Sequence, residues 1–518
     1  MLPGDSTQTP SHNLHPLLSG LAIFYFLLEW IVPTLGDYGY FIDEFYYLAC
    51  ADHLSLGYVD HPPLSVFLLW IVRGILGDSL IAIRFVPALA GGFTVLVVGI
   101  IARSLGANAL GQILAAGAMM TGLVYQIVFS YFSMNALSIL LWAVGFLILV
   151  KIEKENEPRW WLVFGMITGL GLLNKHTFIL FPAGLFVGLL LTPARRHLTS
   201  RWLWAGCLIA ICLFVPNLIW QMTNGWPSIE FYRNADFYKN VPTPPQLVLL
   251  NQILAVNPGT LIVWVTGLVF LLVSKRGQPL RHLGWIYPVL LVLMFVSQNS
   301  RPDRIAEAYI ILFGVGGTYL SSLCSRKPLG WLQWAIPTIF VITGLALVPL
   351  SLPLLPVNET ASYAATLGVV PQVEKSEGEK PQLPLWLGHK IGWERFVDDI
   401  EAVASELDPA ELQRAVILVP TYGQAGATEL LGRGRQLPPV YATQNNYFHW
   451  GPPPDPVKVA IMAGFAEETV RSLFGEAEVV RIHDCDRCIR WRDDMPIWIA
   501  RNPKMALKDV WPLLRHYE

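Results

Sequence analysis

Long apolar runs separated by short polar stretches occupy the first 350 residues, and nearly all have the roughly 17–25 residues that span a hydrocarbon core. Runs near 16–35, 80–102, 109–127, 131–150, 159–174, 176–192, 202–221, 258–274, 283–298, 305–323 and 330–350 predict about eleven transmembrane helices. Leu64 to Leu76 is apolar but short and follows Pro62-Pro63, which predicts an interfacial or re-entrant helix. The polar stretch Met1 to His15 lacks the basic start and small-residue cleavage site of a signal peptide, so the first apolar segment is expected to be retained.

Beyond the proline-punctuated exit Ser351 to Pro356 the pattern changes. Arg414 to Pro420 reads as a buried strand running into a helix at Gly426–Leu431. Val457–Met462, Ala466–Phe474 and Glu478–Ile482 repeat the alternation of strand and helix. Residues 1–350 are therefore expected to form a polytopic α-helical domain with a first external loop at 36–79, and residues 351–518 a small α/β domain.

Composition agrees: 53% of residues are hydrophobic and only 14% charged, with mean hydropathy +0.46. A net charge of -2 without a basic stripe gives no footprint for nucleic acid. Charge placement adds orientation. Arg103, Lys151 with Lys154 and Arg159, Arg195-Arg196 with Arg201, Lys275-Arg276 with Arg281, and Arg326-Lys327 fall in alternate loops, which the positive-inside rule assigns to the cytoplasm together with the N-terminus. With an odd number of spans, the α/β domain lies outside. Cys485 and Cys488 suit that compartment as a disulfide, since a lone C-x-x-C is weak evidence for zinc.

The outer face collects the chemistry. Asp43-Glu44 sits among Tyr40, Phe41, Tyr46 and Tyr47 just beyond the first span, and Asp60-His61-Pro62-Pro63 follows. An aromatic belt at the interface explains the rings but not four clustered ionisable groups. Lys175, Arg301 and Arg304 fall on the same face. A carboxylate can take a proton from a hydroxyl nucleophile, while cations stabilise charge growing on a phosphate leaving group. Together they fit glycosyl transfer from a lipid phosphate.

Asp43 to Tyr47 followed by Tyr58 to Leu64 resembles the first external loop of the GT-C glycosyltransferases of the family-39 branch, which includes protein O-mannosyltransferases and lipid A aminoarabinose transferases. Phe132 to Leu137, Gly169 to Thr177, Pro216 to Gln221 and Asn224 to Pro227 continue the resemblance. It implies an inverting transferase that moves a sugar from a polyprenyl-phosphate donor to a hydroxyl or phosphate-bearing acceptor, whether lipid, glycan or protein, at the outer face of the cytoplasmic membrane. By position, Asp43 would be the base, Glu44 would orient the acceptor or organise the loop, and Asp60-His61 would lie beside the sugar-phosphate. Lys175, His61, Arg304 and Arg301 would bind the donor phosphate; Asp60, Tyr46, Asn135 and Trp226 would complete the substrate site. Two departures stand out: His61 replaces the lysine that aminoarabinose transferases tend to carry, and Asn135 stands where many relatives have an acid.

Structural alternatives accompany these roles. Lys175 can snorkel from a helix end, Arg301 and Arg304 can pair with Asp303 and Glu307, His61 can fix the Pro-Pro turn, and Trp226 with Tyr232 can sit in the interface belt. No cofactor is expected, although an Asp-Glu pair can also act as a divalent-metal ligand. A transporter or flippase of a lipid-linked solute is the competing function, and a scaffold or receptor using the external domain is a third. A transporter needs ionisable groups near the bilayer centre and reachable from both sides.

Overall fold

The computed structural model describes residues 15–299, 301–368, 374–375, 382–485, 487–489 and 492–518. Among them, seven helices are long and apolar enough to cross a membrane, and three helix pairs pass that test together while bending by more than 40°. The bent pairs are Ala109–Met120 with Leu123–Phe129, His176–Leu190 with Pro193–Thr199, and Pro245–Ala255 with Pro258–Val273. Each of the eleven expected segments lies on helix, but Trp160–Asn174 is too short to count as a span by itself, and the total is seven, or up to ten with the bent pairs. The breaks have local causes. Pro193 and Pro258 open the second halves of two pairs, where a missing N–H does no harm. Helix Pro245–Ala255 is an addition, in a stretch the apolar pattern leaves as loop.

The first helix, α1 (Pro16–Ile31), leads into α2 (Ile42–Asp52), the short apolar α3 (Leu64–Leu76) and the long α4 (Leu80–Ser104), against which α1 packs. Helix α2 begins where Glu44 turns back to accept the N–H of Phe41 at 2.8 Å, and its first-turn acids complement the helix dipole. Its exposed-looking aromatics are buried: Phe45, Tyr46 and Tyr47 are at most 3% exposed.

What covers them is the C-terminal part. Strands β1 (Ala415–Val419), β2 (Val440–Ala442), β3 (Val459–Ala463), β4 (Phe474–His483) and β5 (Met495–Pro503) form one sheet in the order β2-β1-β3-β5-β4. β1 pairs parallel with β2 and β3, and β5 runs antiparallel to β3 and β4. Central β1 and β3 are buried along their whole length, as parallel strands covered on both faces require. The sequence pattern anticipates β1 and β3 and half of β4, but not the short β2 or β5. Cys485 and Cys488 are joined by a disulfide.

One sheet face packs on Val470, Leu507 and Trp511. The other shares a single apolar core with α2: Ile417, Val419, Ile461 and Ile497 cluster with Phe45, Tyr47, Trp393 and Phe396. The sheet thus shares its core on that side with the loop after the first span, which supplies about a third of the buried cluster.

Candidate active site

Adjacent acids on α2 meet opposite fates. Glu44 is fully buried and bound by Arg84 of α4 through two contacts, Nε to Oε1 at 2.9 Å and Nη2 to Oε2 at 2.8 Å. It also accepts the backbone N–H groups of Phe41 and Phe132, at 2.8 and 2.9 Å. Arg84 in turn donates to the carbonyls of Pro33 and Gly39. Every strong acceptor site on Glu44 is used, so it ties loop, α4 and the Phe132 turn together rather than facing a substrate.

Asp43 points the other way, into a cavity of about 480 Å³ that also takes in Asp60, Asn135, Lys175, Arg301 and Arg304. Its Oδ1 accepts the hydroxyl of Tyr422 at 2.9 Å; Oδ2 has no hydrogen-bond partner among the described residues. Burial pushes the Asp43 carboxyl above its usual pKa, and the bond from Tyr422 opposes that. Asp60 accepts from Tyr46 at 2.9 Å, and the Tyr46 ring lies 4.6 Å from that of Tyr422.

The cations divide by partnership. Arg301 is committed to Asp303 (3.1 Å) and Glu374 (3.0 Å), and Lys175 lies 3.7 Å from Glu307, which also accepts Ser138 at 3.1 Å. The pairing of Arg301 with Asp303 matches one structural alternative, whereas Glu307 pairs with Lys175 and not with an arginine. Arg304 lines the cavity with no ion pair among the described residues. Lys239 also lines the cavity without an ion pair among the described residues, so these two cations are the lining ones not already balanced by an acid.

Besides Glu44, three further expected site residues stand outside the cavity lining. His61 is 1% exposed and stacks on Tyr47 at 4.7 Å, with Nδ1 3.1 Å from the Pro62 carbonyl and Nε2 3.9 Å from Asp60. It is packed behind Asp60, in the place its turn-fixing alternative describes. Tyr46 is buried and reaches substrate space only through Asp60. Trp226 takes a left-handed φ of 60° as the cap of helix Pro227–Asn234 and is 41% exposed. Its neighbours explain the surrounding motif: Asn217 donates to the Leu56 carbonyl, Gln221 to that of Tyr58 and Ser228 to that of Val59, at 3.0, 3.3 and 2.7 Å. These two amides and one hydroxyl clamp the loop that carries Asp60. Likewise Asn174, beside Lys175, accepts from Ser65 of α3 and donates to the Met134 carbonyl at 2.7 Å.

Several lining residues escaped sequence reasoning. Tyr422, Gln444, Asn445, His516 and Glu518 come from the C-terminal part, some 370 or more residues from Asp43, and no local pattern marks them. Lys239 comes from the segment after the helix Pro227–Asn234, and Tyr232 of that helix, expected only as an interface-belt residue, also lines the cavity. On one flank the lining turns apolar, with Leu123, Val124, Ile127, Val128, Leu254 and Leu347. No group of three or more His, Cys, Asp or Glu placed to hold a metal ion occurs among the described residues.

Residues 60–220 match the family model of dolichyl-phosphate-mannose-protein mannosyltransferases. A 211-residue stretch is 25% identical to the lipid A galacturonosyltransferase RgtD of Rhizobium johnstonii, covering 39% of this chain and 43% of that relative, so the match spans less than half of it. Almost the whole chain follows ArnT from Cupriavidus metallidurans in the apo state, with a TM-score of 0.61 at 13% identity over 93% of this chain and 97% of that one. The same protein bound to undecaprenyl phosphate gives 0.59 at 14% identity over the same shares. At these identities it is the architecture that is common to them, a helix bundle capped by a small C-terminal sheet.

Proposed function

We propose that this chain, a multi-pass membrane protein with the fold of the GT-C glycosyltransferases, moves a sugar from a polyprenyl-phosphate donor to an acceptor hydroxyl with inversion. One observation carries the reading: a single cavity sets Asp43, with one carboxylate oxygen unengaged, together with Arg304, a guanidinium with no ion pair among the described residues.

In this mechanism the acceptor oxygen attacks the anomeric carbon as its proton passes to Asp43 Oδ2. The bond from that carbon to the phosphate oxygen breaks, and its electron pair leaves with the lipid phosphate. Arg304 meets the charge that develops there, where a preorganised donor is worth most. Lys175 and Arg301, each already balanced by an acid, set the field rather than bind alone. Asn135 lines the same cavity and, as an amide, supplies hydrogen bonds to the sugar and no basicity. The apolar flank suits a polyprenyl chain, and that lipid is what the ArnT match holds. The acceptor is a lipid, glycan or protein bearing a hydroxyl; RgtD is named for lipid A.

The alternating basic loops support an active site and C-terminal domain on the outer face of the cytoplasmic membrane, with the division between the two parts at residues 350 and 351. The disulfide supports the same side. A flippase would need the ionisable groups to be reachable from both ends of the bundle; here they line one cavity between a single end of the helices and the sheet.

The test supplies the purified protein with a panel of synthetic polyprenyl-phosphate sugars and an acceptor extract, and follows release of the lipid phosphate. Release with at least one sugar, dependent on acceptor, is expected. Movement of the intact donor across vesicles without release would replace transfer with transport.

A further inference from the structure

Among the described residues, Tyr422 is the one side chain that hydrogen-bonds Asp43, and its placement is heavily determined. It opens the helix Tyr422–Leu431, whose cap Thr421 exchanges bonds with Gln424 in a capping box. Its own N–H donates to Gln444 at 3.0 Å. The helix then lies directly on α2 because two glycines on one face leave no side chain between them. A Cβ at Gly423 would stand 2.3 Å from Ile42 Cγ1, and one at Gly426 would meet the backbone of Phe45 at 3.0 Å. Tyr422 also leans on Tyr46, so the two rings present their hydroxyls to Asp43 and Asp60 respectively.

We infer that Tyr422 is a positioning residue for Asp43: from the C-terminal domain it holds Oδ1 and leaves Oδ2 as the single oxygen open to the acceptor proton. A hydroxyl donating to a carboxylate favours its charged form, while burial among Phe41, Tyr131 and Ile42 favours the neutral one. The charged groups bearing on Asp43 are Lys239 and Arg301, which assist ionisation, and Asp60, which opposes it. The base is thereby assembled from two parts of the chain that are remote in sequence, and the C-terminal domain is a component of the reaction centre rather than a lid over it. The inference rests on the proposed role of Asp43.

Tyr422→Phe keeps the ring and its stack but removes the donor. Two measurements on the full-length protein in lipid nanodiscs separate the inference from its premise. The first follows modification of the Asp43 carboxyl by dicyclohexylcarbodiimide against pH, read by mass spectrometry, and needs no substrate; the reagent attacks the protonated acid. Loss of one hydrogen bond to a charged group moves the midpoint up by about one to two pH units. The second is the pH profile of turnover with whichever donor the panel identifies. Its acid limb should rise by the same amount, with the rate recovering toward wild type at alkaline pH and undecaprenyl phosphate affinity unchanged.

An unmoved labelling midpoint overturns the inference. A midpoint that moves while the turnover profile stays fixed supports the contact but removes Asp43 as the base. Gly426→Ala, which must push the Tyr422 helix off α2, should shift the labelling midpoint in the same direction as Tyr422→Phe; a lower midpoint overturns the account of how the helix places the hydroxyl.

Discussion

The socket around Glu44 and the cavity wall at Asp43 lie one residue apart on α2, yet they do different work. In the socket, one carboxylate receives two bonds from a guanidinium and two from backbone N–H groups, and no part of it is exposed. On the cavity wall, a carboxylate receives one bond and retains an open oxygen. Saturation of hydrogen-bonding capacity, more than charge or position, separates an acid that builds a site from an acid that reacts in it.

The sharpest way to break this comparison is to remove charge from each acid in turn. Asp43→Asn preserves shape and removes basicity, so transfer should fall by about 10²–10⁴-fold while undecaprenyl phosphate binding, measured by calorimetry, survives. Near-normal turnover would shift the base to Asp60. Glu44→Gln attacks the other side: it strands Arg84 in the interior, where breaking a buried pair costs about 3–5 kcal/mol. The expected result is a large loss of thermal stability and yield, with specific turnover of the folded fraction far less affected than in Asp43→Asn. A stable Glu44→Gln enzyme without activity would move Glu44 into the chemistry.

Smaller effects sharpen the picture of the opposite wall. Arg304→Ala should weaken undecaprenyl phosphate binding by about 10- to 100-fold, the size of one lost charge-assisted hydrogen bond. If Arg301→Ala does the same while Arg304→Ala does not, the committed arginine is the receptor after all. The least effect is expected at Trp226, whose exposure leaves it free of the cavity: Trp226→Ala should change turnover by no more than about twofold. A greater loss would show that the loop closes over substrate.

Legibility in the sequence followed locality. Helix positions and the charged loop after the first span were readable, because apolar length and clustered charge are local signals. The split between the two acids was not, since it depends on Arg84 about forty residues away and on the turn at Phe132. The same holds for His61: its sequence context of Asp60 and two prolines reads as chemistry, while three tyrosine rings from elsewhere in the loop turn it into packing. Helix breaks at Pro193 and Pro258 were visible as prolines but not as bends. Tyr422 lay beyond reach altogether, because only the approach of its glycine-faced helix to α2 makes it a neighbour of Asp43.

The shared core between α2 and the sheet has a consequence for how the protein is made. A ribosome adding about 5–20 residues per second needs roughly 20 to 80 s to travel the 379 residues between Asp43 and Tyr422. During that interval α2 exists without the helices Trp393–Ala404 and Tyr422–Leu431 that will pack on Ile42 and Phe45, and the membrane interface, which accepts such amphipathic aromatics readily, can shelter its rings. The aromatic richness of the first loop thus serves two stages of one life: a mooring in lipid while the rest of the chain is awaited, and a share of a protein core once it arrives.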